Sequence, residues 1–355
     1  MRMFELPAGT PREQGRAHGE MFRGEVGSLA EIRMYLCAQM SGGTREAVLQ
    51  AARQHLPVLE RYDPALAEEL VGIAEGAALD PALVLVLNHY TDLRDLDLGG
   101  ELRGAPPTTD GCSAVYARTA SGAITGQTWD MHATSVPYVL LLRVPAREAR
   151  PAATMLSLTG CLGIAGLNTS GVALCVNNLS SSDARVGVVW SALVRRALGQ
   201  PTAAAARDLM LDAPFGSGRH FLLVDREEAY GIEASGTRRA VVFSGEVRDY
   251  VHTNHCIDPV IASCTVIAPG ATTFDRYEFL RDSLDRTPIE SAAQLWSLLG
   301  STEGYPRSVC SNQSTPENPH GAATCAGLVM TPATGEILAC AGFTHAATPL
   351  TFSVA

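Results

Sequence analysis

The sequence changes character at one point, the junction between Gly111 and Cys112. Upstream of it, residues 1–95 carry the apolar periodicity of helices, and two helices open on the same Asp-Pro signal, at Asp63 and Asp80. Downstream of it, alternating strands are separated by glycine-containing turns. Antiparallel strand pairs with clustered helices predict an α+β protein, a four-layer arrangement of two antiparallel sheets with helical cover.

The individual elements follow from periodicity and turn signals. Strand pairs are predicted within 113–129, 156–179, 221–233 and 326–341. Inserted helices are predicted at about 190–198, 202–211, 274–284 and 288–299. Thr287 and Glu290 form a capping-box signature for the last of these helices. Upstream, a helix over 44–56 is predicted to end at Pro57.

A strip rich in Asp, Gly and Pro separates the two parts of the chain. It runs from 92 to 110, has no apolar period, and therefore predicts an exposed linker. We accordingly divide the chain into a helical segment, residues 1–111, and a strand-rich segment, residues 112–355.

Composition excludes several function classes. The chain has no lysine, because all 27 cationic side chains are arginines, and Schiff-base chemistry is therefore excluded. The net charge of −10 and the absence of a basic patch argue against binding to nucleic acid. Nine cysteines without C-x-x-C spacing predict free thiols in a reducing compartment. With no signal-peptide pattern and no long apolar run, we expect a cytoplasmic protein with no membrane partner.

Cys112 is the strongest candidate nucleophile. One alternative is a structural thiol at the start of a strand. However, the preceding Gly111 lets a peptide bond be approached closely, and the texture of the chain breaks at the same place. If the Gly111–Cys112 bond were cut, the new α-amino group would have a pKa near ~7.7–8.0 and could act as the base for the adjacent thiol. The thiolate would then carry the attack.

The chain resembles the isopenicillin N acyltransferase-like cysteine enzymes of the N-terminal-nucleophile hydrolase superfamily. Six motifs in the order of that family carry the resemblance, and they lie at 9–19, 69–77, 110–113, 126–130, 166–179 and 252–255. The resemblance implies the superfamily's αββα sandwich. It also implies autocatalytic cleavage between Gly111 and Cys112, so that residues 1–111 become a small subunit that stays associated with a large catalytic subunit.

The same resemblance implies roles for three further residues. Asp130 would orient the nucleophile and its amino group. Asn177 would offer its backbone N–H, and Asn254 its side-chain NH₂, to the oxyanion that develops during acyl transfer. The structural alternatives are a turn residue at a strand end for Asp130 and a hairpin-edge cap for Asn177.

The sequence departs from the family pattern at one position. Many relatives carry an arginine after the segment that corresponds to 308–310, and here that position is Ser311. Three residues are candidates to compensate for the missing cation: Arg307, Asn312 and Arg276. Four residues are candidate substrate contacts: Trp129, His132, Arg276 and Arg307. For His132 the alternative is a surface or strand-end histidine, and for Arg276 it is the solvated face of a helix.

Other chemistries fit the sequence less well. His252, His255, Cys256 and Cys264 lack the spacing of a zinc site, and the glycines at 160–171 lack the Lys of a phosphate loop. We therefore expect no metal and no cofactor, although acyl-coenzyme A is a candidate acyl-donor substrate. Three functions remain: hydrolysis of a small amide, acyl transfer to an amine through the same Cys112 thioester, or binding by an inactive protein that keeps the fold. The substrate itself stays open.

Overall fold

A computed structural model describes residues 1–98, 111–245, 247–345 and 347–354. The upstream part consists of a short strand and five helices: β1 Arg2–Glu5, α1 Pro11–Met21, α2 Arg23–Ser41, α3 Arg45–Tyr62, α4 Pro64–Ala77 and α5 Pro81–Leu93. The downstream strands are β2 Ser113–Thr119, β3 Gly122–His132, β4 Val139–Val144, β5 Ala153–Leu158, β6 Ala165–Asn168, β7 Ala173–Asn178, β8 Arg219–Val224, β9 Ala229–Ala234, β10 Arg239–Phe243, β11 Asp249–His252, β12 Ala322–Thr331, β13 Glu336–Ala341 and β14 Leu350–Ser353. The downstream helices are α6 Trp190–Ala197, α7 Ala203–Asp212, α8 Pro259–Ala262, α9 Thr273–Arg286 and α10 Ala292–Leu299, and a 3₁₀ segment spans Ala133–Tyr138.

The strands form two sheets. One has eight strands in the order β1-β4-β5-β6-β7-β8-β9-β10, and the other has six in the order β11-β2-β3-β12-β13-β14. Alternate side chains of β2 face different cores: Ala114 and Tyr116 lie in the large core shared by both sheets and the upstream helices, whereas Val115 and Ala117 pack with α9 and α10. The four-layer αββα sandwich is therefore confirmed.

One strand pair departs from the predicted antiparallel arrangement. β1 pairs in parallel with β4, with Met3 opposite Leu141. No local pattern predicts β1, because this four-residue strand is mostly exposed and has no apolar alternation. Through it, the upstream segment contributes an edge strand to the eight-stranded sheet.

The helix caps follow the sequence closely, with two exceptions. Asp63 and Asp80 cap α4 and α5 as predicted. Pro57, however, lies inside α3, so the predicted end at this residue is wrong. The helix continues because its buried stripe extends to Leu59, and that packing outweighs the hydrogen bond that proline removes. The predicted start of α10 is also wrong, since its N-cap is Ser291 rather than Thr287.

Glycines allow α1 and α4 to touch backbone to backbone. A Cβ on Gly15 or Gly19 would lie only 2.0–2.2 Å from carbonyl oxygens of α4. A Cβ on Gly72 or Gly76 would lie 2.2 Å from carbonyl oxygens of α1. Two of the motifs behind the family resemblance are therefore the two halves of one close helix contact.

The predicted linker begins later than expected. Asp92 still belongs to α5, and both it and Arg94 are buried, because Asp92 forms an ion pair with the buried Arg219. Residues 99–110 of the predicted linker, including Asp110 of the junction motif, lie outside the described residues. Within the described part of the chain, no single helix is long and apolar enough to cross a membrane, and α4 with α5 reaches that composition only as a pair bent by 118°.

Candidate active site

Cys112 lies immediately before β2 and is 3% exposed. The β2–β3 hairpin places Ser113 opposite Thr128, and the Ser113 N–H donates to Thr128 Oγ1 over 3.2 Å. This register brings the end of β3 beside the junction, with Cys112 Sγ 3.7 Å from the backbone oxygen of Asp130. A Cβ added to Gly111 would lie 2.9 Å from Asp130 Oδ2, so the buried carboxylate packs directly against the glycine.

Two side chains from different layers hold the backbone carbonyl of Cys112. Asn177 Nδ2, on β7 of the eight-stranded sheet, donates to this oxygen over 3.0 Å. Arg276 Nη1, on α9, donates to the same oxygen over 2.8 Å. β7 reaches the site because the two sheets are joined beneath it, where the Val176 N–H donates to Gln127 Oε1 over 2.7 Å. Three layers of the sandwich therefore meet at Cys112.

Arg276 is almost completely buried, with 1% exposure, so the predicted alternative of a solvated helix face is wrong. Besides the Cys112 carbonyl, its guanidinium donates to three other oxygens: Ser113 Oγ at 2.9 Å, Asn254 Oδ1 at 2.9 Å and Thr272 Oγ1 at 3.0 Å. Burial lowers the pKa of Arg276, while the neighbouring Asp130 and Cys112 act in the opposite direction. Because arginine retains its proton in proteins, Arg276 is a fixed cation beside Cys112.

Of the three residues named as candidates to supply a cation in place of position 311, Arg276 is the one that contacts Cys112. The other two candidates lie elsewhere. Arg307 is exposed and forms an ion pair with Asp275, and Asn312 is exposed. The spacing in the sequence distinguishes Arg276 from the exposed candidates. Arg276, Leu280 and Leu284 follow one another at four-residue intervals and form one buried stripe of α9.

Asn254 lies two residues beyond the end of β11 and is fixed at three atoms. Its backbone N–H donates to Thr273 Oγ1 over 2.8 Å, and its Oδ1 accepts from Arg276. Its Nδ2 donates to the backbone oxygen of Asn178 over 2.9 Å. An amide nitrogen carries two hydrogens, so one hydrogen is held by Asn178 and the direction of the other is thereby set.

Asn177 is fully buried, and its side chain forms contacts at the site that no local sequence pattern predicts. The Asn177 Nδ2 contacts the Cys112 carbonyl and, over 3.3 Å, the carbonyl of His252, while Oδ1 lies 2.8 Å from His220 Nδ1. The role predicted for its backbone N–H stays a prediction.

The remaining candidate substrate contacts are spread out. Trp129 is buried in the large core next to Asp130 in the chain. His132 is the last residue of β3, so the strand-end alternative describes its position, but its side chain is buried and not at the surface. It lies 2.7 Å from both the Tyr90 hydroxyl and the His320 carbonyl oxygen. Arg307 lies in its surface ion pair, outside the group around Cys112.

No group of three or more His, Cys, Asp or Glu side chains in the described part of the chain is arranged to hold a metal ion. The side chains gathered around Cys112 are its own thiol, a carboxylate, a guanidinium and two amides. This set can activate a sulfur nucleophile and stabilise an oxyanion, which are the two needs of acyl transfer.

Comparison with known proteins decides the family. The family described as acyl-coenzyme A:6-aminopenicillanic acid acyl-transferase matches residues 117–325, more than half of the chain. The chain belongs to this family. The resemblance to isopenicillin N acyltransferase-like enzymes is thus confirmed. The chain is an enzyme of an acyltransferase family.

The chain is also similar to individual proteins. The 40 kDa form of acyl-coenzyme A:6-aminopenicillanic-acid-acyltransferase from Emericella nidulans is 27% identical over 307 residues, which cover 85% of this chain and 82% of that protein. Among solved structures, a mutant of the conjugated bile acid hydrolase from Clostridium perfringens matches with a TM-score of 0.45 and 12% identity, covering 65% of this chain and 89% of the other. Penicillin V acylase from Agrobacterium tumefaciens matches with a TM-score of 0.44 and 15% identity, covering 68% and 84%.

Proposed function

We propose that this enzyme cuts its own Gly111–Cys112 bond and then uses Cys112 as an N-terminal nucleophile. Cys112 would form a thioester with the acyl group of a small amide or thioester and pass that group to water or to an amine. The observation that carries this proposal is a pair of hydrogen bonds to the Cys112 carbonyl oxygen. Asn177 Nδ2 and Arg276 Nη1 donate to it over 3.0 and 2.8 Å, and Gly111 packs against Asp130.

Self-cleavage requires no reagent other than water. Cys112 Sγ attacks the Gly111 carbonyl carbon, the C–N bond breaks, and the departing nitrogen takes a proton. Water then hydrolyses the Gly111 thioester, which releases a carboxylate at Gly111 and restores the thiol. The new α-amino group of Cys112, with a pKa near ~8, becomes the base for later turnovers.

Three neighbours would share the work of catalysis. Asp130 would orient Cys112 and its new amino group, because its carboxylate packs against the residue that precedes them. Asn254 would donate its remaining amide hydrogen to the tetrahedral oxyanion. Arg276 would hold the Cys112 main chain and Asn254 in one fixed relation, since it donates to both.

Acyl-coenzyme A is the acyl donor suggested by the name of the family, and we propose a small N-acyl compound as the alternative substrate. No cofactor is needed for either reaction. The small and large subunits would remain associated, because β1 pairs with β4 and the buried Glu69 forms an ion pair with Arg195 on α6, 2.8 Å apart. The nine free cysteines favour a cytoplasmic location.

Trapping the acyl-enzyme tests this proposal. The protein would be mixed with acyl-coenzyme A thioesters or N-acyl amino compounds, quenched in acid, digested and analysed by mass spectrometry. We expect the acyl mass on the peptide that begins with Cys112, and faster turnover with an added amine if transfer dominates over hydrolysis. The variant Cys264→Ala, which removes a half-buried thiol, should acylate normally. Acylation at another cysteine, or none with any donor, would overturn the proposal.

A further inference from the structure

A buried group of charged and aromatic side chains lies behind Asn177. His220, Glu233 and His252 are each 0% exposed. β8 places His220 between its two neighbours, opposite Asn177 on β7 and opposite Glu233 on β9. His252, at the end of β11 in the other sheet, stacks on His220 with ring centroids 3.5 Å apart and planes 5° from parallel. The two sheets therefore meet here through two imidazole rings.

The hydrogen bonds of His252 place an oxygen beside each of its ring nitrogens. Its Nδ1 lies 2.7 Å from the backbone oxygen of Thr253, and its Nε2 lies 2.8 Å from Glu233 Oε1. A backbone carbonyl can only accept, so Nδ1 must carry a hydrogen. Glu233 also accepts from the backbone N–H groups of Ile257 and Asp258, at 2.6 and 2.9 Å. Both ring nitrogens of His252 therefore face oxygens that can accept a hydrogen bond.

The hydrogen bonds of His220 indicate a neutral ring with its hydrogen on Nδ1. Its Nδ1 lies 2.8 Å from Asn177 Oδ1, and its Nε2 lies 3.2 Å from the Tyr250 hydroxyl. Asn177 directs its amide nitrogen at the Cys112 carbonyl, so its oxygen faces His220 and can only accept. His220 is therefore protonated at Nδ1, and as a neutral ring it accepts at Nε2 from Tyr250. Burial, followed by the charge on His252, holds the pKa of His220 well below its usual value.

We propose that His220 is a positioning residue for the nucleophile: its Nδ1–H fixes the direction of the Asn177 amide, and the His252–Glu233 ion pair keeps His220 in that neutral tautomer. Two hydrogen bonds connect His220 to Cys112. One joins His220 Nδ1 to Asn177 Oδ1, and the other joins Asn177 Nδ2 to the Cys112 carbonyl oxygen. This role rests on the proposed function, because it matters only if Cys112 reacts.

The first test measures the protonation states directly. Long-range ¹H–¹⁵N NMR on protein with ¹⁵N-labelled histidine rings, near neutral pH, should show His252 protonated at both nitrogens and His220 protonated at Nδ1 alone. The spectra of His252→Gln and His220→Asn assign the two rings. A doubly protonated His220, or a His220 protonated only at Nε2, would overturn the inference, because neither leaves Asn177 oriented as described.

The second test follows the effect to Cys112. His220→Phe keeps a ring but removes the donor, and we expect cleavage at Gly111–Cys112 to slow by about ten-fold, the scale of one lost orienting hydrogen bond. His220→Asn places an amide N–H near the position of Nδ1 and should restore most of the rate. In an Asn177→Ala background, His220→Phe should have little further effect. The matched control is His18→Phe, which changes another fully buried ring outside this group.

The outcomes separate the two proposals. Wild-type protein that cleaves normally while His220→Phe cleaves at the same rate would overturn the role of His220 and leave the proposed function intact. An equal loss in both backgrounds, with no rescue by His220→Asn, would assign His220 a purely structural role and likewise overturn the inference. Wild-type protein that neither cleaves nor acylates at Cys112 would overturn both.

Discussion

At the scale of single residues, the site holds the backbone of Cys112 from three layers. Its carbonyl oxygen receives donors from β7 and α9, while its Sγ faces the backbone of Asp130 on β3. Such anchoring matters for a nucleophile at a chain terminus, because cleavage would free the amino side of Cys112. The carbonyl side would stay in place, and the new terminus would keep the geometry that acyl transfer requires.

The first prediction concerns Asp130. Asp130→Asn keeps the shape of the side chain but removes the charge that would orient the new amino group. We expect turnover to fall about 10²-fold or more, the scale of a lost acid–base partner, with little change in the urea midpoint of unfolding. The control is Asp249→Asn on β11, which is half-buried and outside the group around Cys112. Equal losses of activity and stability would contradict an orienting role.

The second prediction concerns Arg276. Arg276→Lys keeps the positive charge but cannot donate at the same time to Cys112, Ser113, Asn254 and Thr272. We expect kcat to fall by about 10- to 100-fold, in line with the loss of charge-assisted hydrogen bonds. Arg307→Lys, at the exposed ion pair with Asp275, should leave kcat unchanged. A normal kcat for Arg276→Lys would show that charge alone suffices at this position.

The third prediction concerns Asn254. The loss of one oxyanion donor typically costs ~10²–10³ in kcat, or roughly 3–4 kcal/mol of barrier. Asn254→Ala should show that loss with KM little changed, and self-cleavage should slow as well. Steady-state kinetics beside a processing time course measures both effects, with Asn318→Ala in an exposed loop as the control. Near-normal values would leave the oxyanion to backbone donors.

The sequence predicted part of this site and not the rest, for a physical reason. Cys112, Asp130 and Asn254 lie within motifs that can be recognised locally. Arg276 could be named from the sequence only as one of several candidates, because its place beside Cys112 depends on the packing of α9 against the six-stranded sheet. His220 has no local signal, because its place depends on the pairing of β7 with β8. Contacts of this kind depend on tertiary placement, which no short segment encodes.

At the scale of elements, the predicted pattern succeeded where local signals decide the structure. The two Asp-Pro signals correctly predict where α4 and α5 begin. Three predicted hairpins are present as β2–β3, β8–β9 and β12–β13. It failed where packing or pairing overrides local preference, as for Pro57 inside α3 and the exposed strand β1. Both failures lie in the upstream segment, where helices and an edge strand depend on the sheet that they cover.

The fourth prediction concerns α1. His18 is fully buried, and its Nε2 accepts from the Gly160 N–H over 3.0 Å. Burial, and secondarily Arg195, lowers the pKa of His18 to about 3, below its usual value. A lowered histidine pKa gives stability that is present above pH ~6.5 and is lost as the pH falls, because the unfolded chain then binds the proton more readily.

Between pH 7.5 and 5.5 this histidine alone should cost about 1.4 kcal/mol of the free energy of unfolding. Urea unfolding at the two pH values measures that loss in wild type and in His18→Phe. The variant should be less stable at pH 7.5 because the Gly160 N–H loses its acceptor, but its stability should fall less on acidification. An identical pH dependence in the two proteins would contradict this prediction, because it would mean that folding does not change the pKa of His18.

At the scale of the whole molecule, the upstream segment is built into the sandwich rather than appended to it. It contributes an edge strand through β1, and Asp92 of α5 forms a buried ion pair with Arg219 on β8. Arg219 in turn donates to Asn178 Oδ1 over 2.7 Å, and the backbone oxygen of Asn178 holds Asn254. The upstream segment therefore supports the site from a distance, which is why we expect it to stay bound after cleavage.

The fifth prediction is the most direct test of the central claim, that Cys112 becomes an N-terminal nucleophile. The measurement is the intact mass of the purified protein, together with the N-terminal residue of its large fragment. We predict two chains of about 11.7 and 25.8 kDa, the shares of 111 and 244 residues in 37.5 kDa, with cysteine first in the larger chain, and an uncut chain for Cys112→Ala. A wild-type chain that stays at 37.5 kDa and is nevertheless fully active would contradict the claim.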